Sequence, residues 1–241
     1  MDERQRQAGS FGAAAEVYER SRPGYPENAI DWLLPAGASH VLDLAAGTGK
    51  LTRQLVARGL DVVAVDPAEE MLEQLRAAVP GTSTFVGTAE EIPLKDNAVD
   101  AVVVAQGWHW VDPERASREV ARVLRPAGQL GLIWNQRDER EPWVAEFGKI
   151  LEGGFRHDFE TPTVGPPFGK LERFETEWCY ELDLPTLLDL VSSRSYVIVQ
   201  ADAQRAALLD RVRELAEREL ERTGAPKLAM PYVTQSFRAH V

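Results

Sequence analysis

The residues best suited to chemistry lie in the segment VLDLAAGTGKLT, from Val41 to Thr52. This segment combines an acid, Asp43, with two glycines, Gly47 and Gly49. Glycines in a tight turn allow φ > 0 and let the backbone pass close to a ligand. A helix that begins behind such a turn offers free N–H groups. The pattern therefore predicts a buried strand, a tight turn and a helix that together bind a small molecule.

Spacing and charge narrow the choice of ligand. A dinucleotide fingerprint, G-x-G-x-x-G, would require a third glycine at position 52, which is Thr52. A carboxylate at Asp43 would repel a pyrophosphate and favour an ammonium or sulfonium group. A second acid, Asp66, ends the next apolar run, where a carboxylate can accept hydrogen bonds from both ribose hydroxyls. The alternative for Asp66 is an N-cap of the helix after Pro67.

The motif Asp43-x-Ala45-x-Gly47-x-Gly49 resembles the first motif of the class I S-adenosylmethionine-dependent methyltransferases. Within that class the chain resembles the methyltransferase type 11 domain. Ala45 stands where the family usually has glycine, a small departure unless residue 45 must adopt a positive φ. The resemblance is strong over 40–138 and weaker over 1–30 and 141–241. It implies S-adenosyl-L-methionine as the methyl donor and S-adenosyl-L-homocysteine as the product.

The resemblance places further residues at the cofactor. Residues 88–90 follow the third strand and meet the adenine, although Glu90 could also be a solvated charge. Met71 is expected in the core or in the adenine-pocket wall, and residues 106–107 end the fourth strand. The predicted cofactor-binding set is Asp43, Leu44, Ala45, Gly47, Gly49, Asp66, Pro67, Met71, Thr88, Ala89, Glu90, Gln106 and Gly107.

Three aromatic residues, Trp108, His109 and Trp110, follow the fourth strand and are expected at the rim of the site. Aromatic faces attract a sulfonium and exclude water from a transferring methyl group. Trp108 could instead clamp the core without touching a ligand. His109 is the candidate catalytic base for a hydroxyl or amine nucleophile, with a structural hydrogen bond as the alternative. A carboxylate substrate would need no base.

The lead SFGAAAEVYERSRPGYP resembles the N-terminal lid of a subgroup that includes fungal trans-aconitate methyltransferases and bacterial proteins of unassigned substrate. That resemblance implies that Tyr18 and Arg22 lie near the cofactor's amino-acid end or the substrate. A surface helix whose aromatic residues pack on the core is the alternative.

The SSRSY segment also resembles the fungal subgroup and makes Arg194 and Tyr196, with Ser192 and Ser195, candidates for the substrate side. A polar helix C-terminus is the alternative. Since Arg137 ends the fifth strand, it could face a carboxylate together with Arg22 and Arg194. O-methylation of a carboxylic acid is therefore a hypothesis at this stage.

The elements that must position these residues are the strands and helices of a doubly wound α/β fold. We expect a seven-stranded mixed sheet of the Rossmann-like methyltransferase type, with an N-terminal lid and a late helical insertion. Within a single domain, 1–30 form the lid segment, 31–140 the cofactor-binding core, and 141–241 the rest of the sheet with the substrate-side insertion. The last long helix is expected to carry a Glu214–Arg218 ion pair.

Composition limits the possible partners. The chain has 241 residues, a net charge of −11 and a pI near 5.0, which disfavours nucleic acid as a substrate. Cys179 is the one cysteine, and no run of 18 apolar residues occurs, so a cytoplasmic protein without a membrane span is expected. The prediction is a small-molecule acceptor and no metal, with the oligomeric state open. The alternatives are a catalytically silent cofactor-binding module with a protein partner, an NAD-dependent oxidoreductase, or a nucleic-acid methyltransferase.

Overall fold

A computed structural model describes residues 22–151, 161–194, 197 and 200–241 of the chain. Strands and helices alternate in its first half. The strands are β1 His40–Leu44, β2 Asp61–Asp66, β3 Ser83–Val86, β4 Val99–Ala105, β5 Leu124–Arg137, β6 Glu172–Leu182 and β7 Leu228–His240. The helices are α1 Glu27–Leu33, α2 Lys50–Val56, α3 Glu69–Ala78, α4 Pro113–Val123, α5 Pro142–Ile150, α6 Leu184–Ser192 and α7 Asp202–Thr223, with a 3₁₀ turn at Trp108–Trp110.

The strands form one mixed seven-stranded sheet in the order β3-β2-β1-β4-β5-β7-β6. Strands β1 to β5 pair in parallel, so their carboxyl ends share one edge. The Asp138 N–H donates to the Pro231 carbonyl and the Val241 N–H to the Gly128 carbonyl, which makes β7 antiparallel to β5. The strand order reverses at β1, because β2 and β3 lie on one side of it and β4 and β5 on the other. Open α/β sheets bind ligands at the carboxyl ends of the strands at such a point.

The chain divides into two compact units. In the described residues the larger unit comprises 24–135, 161–176 and 234–241. The smaller unit comprises 22–23, 136–151, 177–194, 197 and 200–233. Strands β5, β6 and β7 contribute residues to both units.

The larger unit buries both faces of its parallel strands. Leu42 and Val102 belong to one apolar cluster, whereas their neighbours Val41 and Val103 belong to another. Successive side chains of a strand point to opposite faces, so both faces must be covered by helices. This explains why β1 and β4 read as nearly continuous apolar runs.

The smaller unit has its own core, centred on α5, α6 and α7. Phe147 of α5 and Val212 of α7 are fully buried in this core. One face of α7 packs on this core, since Val212, Leu215 and Ala216 are buried and Leu208 is partly buried against them. The predicted Glu214–Arg218 pair is wrong, since Arg218 forms its ion pair with Glu146 of α5.

The predicted fold class is confirmed, and the structure describes all seven expected strands. The expected lid helix and Tyr18 lie outside the described residues, as do Ser195 and Tyr196. Where the chain is described, no helix is long and apolar enough to cross a membrane.

Asp100 anchors the amino-terminal edge of β1, β4 and β5. Its Oδ2 accepts the backbone N–H groups of Ser39 and His40, both at 2.9 Å, and its Oδ1 accepts Arg125 Nη1 at 2.8 Å. Burial by itself would raise the pKa of this carboxyl. The hydrogen bonds from His40, Ser39 and Arg125 outweigh burial and hold the Asp100 pKa well below its usual range.

We predict that Asp100→Asn lowers the free energy of unfolding by about 1–3 kcal/mol at pH 7, because three donors lose a charged acceptor. The folded-state pKa lies below the unfolded one, so this stabilisation exists above the unfolded pKa of about 3.9 and is lost as pH falls further. Urea unfolding of both proteins at several pH values measures this stabilisation. Asp61→Asn, at a 73% exposed side chain on the same edge, is the control and should change stability by less than about 0.5 kcal/mol. Equal losses in both variants would contradict the anchoring role.

Candidate functional site

The carboxylate of Asp43 is fully buried near the carboxyl end of β1. Thr52 Oγ1, in the first turns of α2, donates to Asp43 Oδ2 at 2.6 Å. The other oxygen, Oδ1, is also buried and has no hydrogen-bond partner in the part of the chain that the structure describes. Burial, with a smaller contribution from Asp66, raises the pKa of Asp43 to about 7, and the Thr52 hydroxyl opposes this shift. The site therefore presents a buried acceptor that a cationic donor would satisfy.

Asp66 ends β2 beside Asp43 and holds the glycine turn. Its Oδ2 accepts the Gly47 N–H at 2.8 Å and its Oδ1 accepts the Ala68 N–H at 2.9 Å. Helix α3 begins after Ala68 and has no side-chain N-cap bond, so Asp66 is not the N-cap of that helix. Each carboxylate oxygen retains a lone pair for a further donor.

The turn between β1 and α2 uses three left-handed residues, with φ of 59° at Ala45, 55° at Gly47 and 86° at Gly49. The exception stated for Ala45 therefore applies, because its φ is positive and an L-residue in this region is strained by about 1–2 kcal/mol. A Cβ at Gly49 would lie 2.7 Å from Leu75 Cγ, so Gly49 is required for packing. A Cβ at Gly47 would meet nothing within 4 Å. Gly47 thus lines open space beside Asp66.

The carboxyl end of β4 approaches the same turn. A Cβ at Gly107 would lie 2.9 Å from Ala45 Cβ and 3.3 Å from Val104 Cγ1. The residue before it, Gln106, has φ of 61°, and its N–H donates to the Ile133 carbonyl at 2.9 Å. Two strained non-glycine residues, Ala45 and Gln106, therefore lie at the ends of neighbouring strands. Such strain persists where the surrounding structure fixes it, and it concentrates at functional sites.

The turn after β3 contributes one structural contact to this edge. Glu90 Oε1 accepts the Asp112 N–H at 2.8 Å, which ties the turn to the start of α4. Glu90 therefore has a structural partner in addition to solvent. Ala89 is buried and Thr88 is exposed, and the adenine-reading role of residues 88–90 stays a prediction. Met71 is half-buried and Pro67 is exposed.

Of the three residues after Gly107, Trp108 lies in the core, whereas His109 and Trp110 lie at the surface. Trp108 is only 3% exposed, packs in the larger unit's core, and donates its indole N–H to the Thr163 carbonyl at 2.8 Å. The expectation that Trp108 lies at the rim is therefore wrong, because its ring packs in the core and its N–H is bonded to the Thr163 carbonyl. Trp110 is 77% exposed, and the exposed His109 ring lies 4.6 Å from it. These two residues do lie at the surface.

The predicted substrate-side arginines belong to the smaller unit. Arg22, Arg137 and Arg194 all act electrostatically on one buried tyrosine, Tyr232. Ser192 instead donates to the Leu188 carbonyl at 2.8 Å, which fits the alternative of a polar helix C-terminus.

Two residues of these sites were not predicted from the sequence. Thr52 could have been found, because it occupies the position where a third glycine was considered and its hydroxyl lies one helical turn into α2. Tyr232 carries no local signal, since it lies in an ordinary strand pattern.

A cavity of about 370 Å³ lies elsewhere in the larger unit, between the loop from Thr161 to Leu171 and the side chain of Phe237. No predicted cofactor residue lines it. We assign the candidate site to the strand ends instead, because parallel sheets bind their ligands there.

Comparison with known proteins places the chain in a family. Residues 42–132 match the family described as "Methyltransferase domain". An uncharacterized methyltransferase of Mycobacterium tuberculosis is 57% identical over 230 residues, which is 95% of each chain. An uncharacterized methyltransferase-like protein of Schizosaccharomyces pombe is 34% identical over 241 residues, covering 95% of this chain and 94% of the relative.

A solved methyltransferase structure from Anaeromyxobacter dehalogenans has the same fold, with a TM-score of 0.66 and 24% identity over 91% of this chain and 97% of that one. The chain therefore belongs to the class I methyltransferases, as its first motif predicted. The closer resemblance to the trans-aconitate subgroup stays a prediction.

We predict that Gly107→Ala destabilises the protein by about 1–3 kcal/mol, because the new methyl group would overlap Ala45 Cβ. The double variant Ala45→Gly/Gly107→Ala should recover part of that loss, since it removes the overlapping atom. A double-mutant cycle measured by urea unfolding tests this coupling. Strictly additive losses would show that the two strand ends do not touch as described.

Proposed function

We propose that this methyltransferase uses S-adenosyl-L-methionine to methylate a small carboxylic acid on oxygen. The observation that carries the cofactor assignment is the buried Oδ1 of Asp43, which has no hydrogen-bond partner among the described residues and lies beside the open turn at Gly47. An orphaned buried carboxylate oxygen is costly unless a donor satisfies it. An ammonium group of a ligand supplies such a donor, whereas a pyrophosphate would add repulsion.

The residues present fit the proposed cofactor. Asp43 would hold the ammonium of its amino-acid end, since that carboxylate lies on the strand before the glycine turn. Asp66, which keeps free lone pairs while binding two backbone N–H groups, would accept the ribose hydroxyls. Gly47 would let the backbone approach the ligand, because no atom of the described residues lies within 4 Å of the place where its Cβ would be. The remaining predicted contacts, at Leu44, Thr88, Ala89, Gln106 and Gly107, are part of the same proposal.

S-adenosyl-L-methionine, when bound, supplies an electrophilic methyl group on a sulfonium. This chain's contribution is to hold an acceptor in line with that methyl group and to exclude water. A carboxylate oxygen already carries its lone pair and loses no proton on methylation, so such an acceptor requires no general base. His109, exposed beside Trp110, would be needed only for a hydroxyl or amine acceptor.

The acidic acceptor is supported by charge and by one partial relative. Three arginines of the smaller unit act electrostatically on one buried tyrosine, in a protein whose net charge is −11. A protein of Methylococcus capsulatus named malonyl-[acyl-carrier protein] O-methyltransferase is 39% identical over 136 residues, or 51% of this chain and 49% of that one. That similarity covers half of each chain, so it supports oxygen methylation without identifying the acceptor.

The proposal is tested first by calorimetric titration with S-adenosyl-L-homocysteine, run beside NAD. We expect micromolar or tighter binding of S-adenosyl-L-homocysteine and none of NAD. The same preparation is then given methyl-labelled S-adenosyl-L-methionine and a panel of small carboxylic acids, and base-labile label in the acid fraction would mark an ester. Binding of NAD alone would overturn the cofactor, and transfer restricted to amines or to RNA would overturn the acceptor class.

Two matched glycine variants separate the turn's binding role from its conformation. Gly47 and Gly59 both have positive φ, and a Cβ at either would meet no atom within 4 Å. Substitution by alanine at either position should therefore lower the free energy of unfolding by a similar amount, about 1–2 kcal/mol. We predict that Gly47→Ala weakens S-adenosyl-L-homocysteine binding at least about tenfold, while Gly59→Ala leaves it unchanged. Equal affinities in the two variants would show that Gly47 does not contact the ligand.

The raised pKa of Asp43 predicts a pH dependence of cofactor binding. An ammonium beside the carboxylate favours its ionised form and lowers its pKa from about 7, so binding below pH 7 should release a proton. Affinity for S-adenosyl-L-homocysteine should rise up to about tenfold per pH unit between pH 6 and 7 and level off above that range. Calorimetry in buffers of different ionisation enthalpy counts the proton. Asp43→Asn should abolish this dependence, and a wild-type slope in that variant would assign the proton elsewhere.

A further inference from the structure

Strand β3 forms one edge of the sheet, and among the described strands it pairs with β2 alone. The Gly87 N–H donates to the Asp66 carbonyl at 3.2 Å, so the backbone groups of Gly87 and, two residues earlier, of Phe85 face β2. Successive residues of a strand turn their N–H and C=O groups to opposite sides. The backbone groups of Thr84 and Val86 therefore point away from β2, where no described strand meets them.

The side chains of this edge are apolar where they meet solvent. Phe85 is 44% exposed and Val86 is 54% exposed, and as neighbours in a strand they point to opposite faces of the sheet. The surrounding segment 79–88, VPGTSTFVGT, contains no charged residue, although 27% of the residues in the chain are charged. The β3 edge thus combines unpaired backbone groups with two exposed apolar side chains and no charge.

The other edge strand of the same sheet, β6, has a different composition. Natural sheets discourage edge-to-edge pairing by placing charges, prolines or bulges on their edge strands. Five of the eleven residues of β6 are charged, namely Glu172, Arg173, Glu175, Glu177 and Glu181. Strand β3 has no charged residue and no proline, and its described pairing with β2 runs without a register shift. The usual protection is therefore absent at β3, and pairing with another strand would replace it.

We propose that β3 pairs antiparallel with β3 of a second copy of this chain, so that two sheets join across a two-fold axis. Thr84 exchanges two main-chain hydrogen bonds with Val86 of the partner subunit, and the two-fold axis repeats them on the other side of the axis. The outward-facing backbone groups of both residues are then all paired. The strand is self-complementary in this register, and the inference is independent of the proposed function.

Phe85 lies at the two-fold axis in this arrangement. It opposes Phe85 of the partner subunit in a non-hydrogen-bonded pair, where the Cα atoms are about 4.5 Å apart and the side chains are closest. Aromatic pairs across two strands stabilise a sheet. On the opposite face, Val86 lies across from Thr84 of the partner subunit. One arrangement therefore gives both exposed apolar side chains a neighbour.

Helix α3 supplies charges that complement each other across the axis. It lies against β3, because Arg76 Nε donates to Thr84 Oγ1 at 2.7 Å, and it runs antiparallel to β3 because it connects two parallel strands. The two-fold axis is perpendicular to the sheet, so both copies of α3 lie on the same face and antiparallel to each other. The acidic first turn, with Glu69 and Glu70, then lies toward the helix end that carries Arg76 of the partner subunit. Opposite charges and opposite helix ends meet, which favours a second copy as the occupant.

The first experiment is sedimentation velocity of the full chain over a range of protein concentrations. We expect the wild type to sediment as a dimer of 26.8 kDa chains at micromolar concentration. Phe85→Lys places two like charges opposite each other at the axis and should weaken dimerisation at least about tenfold. Val56→Lys is the matched control, because Val56 is a similarly exposed apolar residue, at 38%, that lies on α2, and this variant should remain dimeric.

Cysteine cross-linking tests the register. Cys179→Ser removes the one native cysteine, and Phe85→Cys in that background should form a covalent dimer under mild oxidation. Opposed residues of a non-hydrogen-bonded pair lie within the reach of a disulfide. Thr84→Cys is the control, because Thr84 opposes Val86 of the partner subunit and its two copies lie beyond the disulfide limit of about 7 Å. Equal cross-linking of the two variants would reject the register.

The proposal is overturned if the wild type sediments as a monomer at every concentration, whether or not another protein binds this edge. A dimer that persists in Phe85→Lys would have its interface elsewhere. Growth beyond two chains would mark β3 as an aggregation-prone edge and would also overturn the proposal. Should Phe85→Lys fail to fold, Val86→Pro decides the question, since it removes an N–H that β3 does not use within its own sheet. A folded, monomeric Val86→Pro supports the interface, and a dimeric one rejects it.

Discussion

The buried carboxylate of Asp43 is the constraint on which the candidate site depends. A carboxylate removed from water is stable only if its oxygens are hydrogen-bonded or if it takes up a proton. Thr52 donates to one oxygen, and in the described residues the other has no hydrogen-bond partner. Burial raises the pKa of Asp43 to about 7. The fold thus maintains an acidic group that a cationic ligand can ionise.

The glycine turn shows how that constraint is maintained. Asp66 accepts the Gly47 N–H, and the backbone at Ala45 is left-handed. The end of β4 leaves room for the Ala45 methyl group only because residue 107 is glycine. Each of these contacts limits the others, so the turn has little freedom to rearrange when a ligand enters. Preorganisation of this kind keeps the ordering cost of binding low. The price is local backbone strain, which the parallel sheet beneath the turn supports.

The smaller unit contributes charge of the opposite sign. Its arginines act on the hydroxyl of Tyr232, whereas the larger unit presents two acids at the ends of β1 and β2. The two units therefore carry charged groups of opposite sign. In the described residues they belong to different parts of the chain, so each can be altered without removing the other.

The sequence alone was enough to predict the sheet, the family and the positions of Asp43 and Asp66 at strand ends. Apolar runs and glycine spacing are local patterns, and they indicate local chain geometry directly. It did not determine that Ala45 is left-handed, that Trp108 is in the core, or that Arg218 pairs across to α5, since each depends on a neighbour distant in sequence. Tyr232 is the clearest case. Only the pairing of β5 with β7 brings it to Arg137, and no local pattern encodes that pairing.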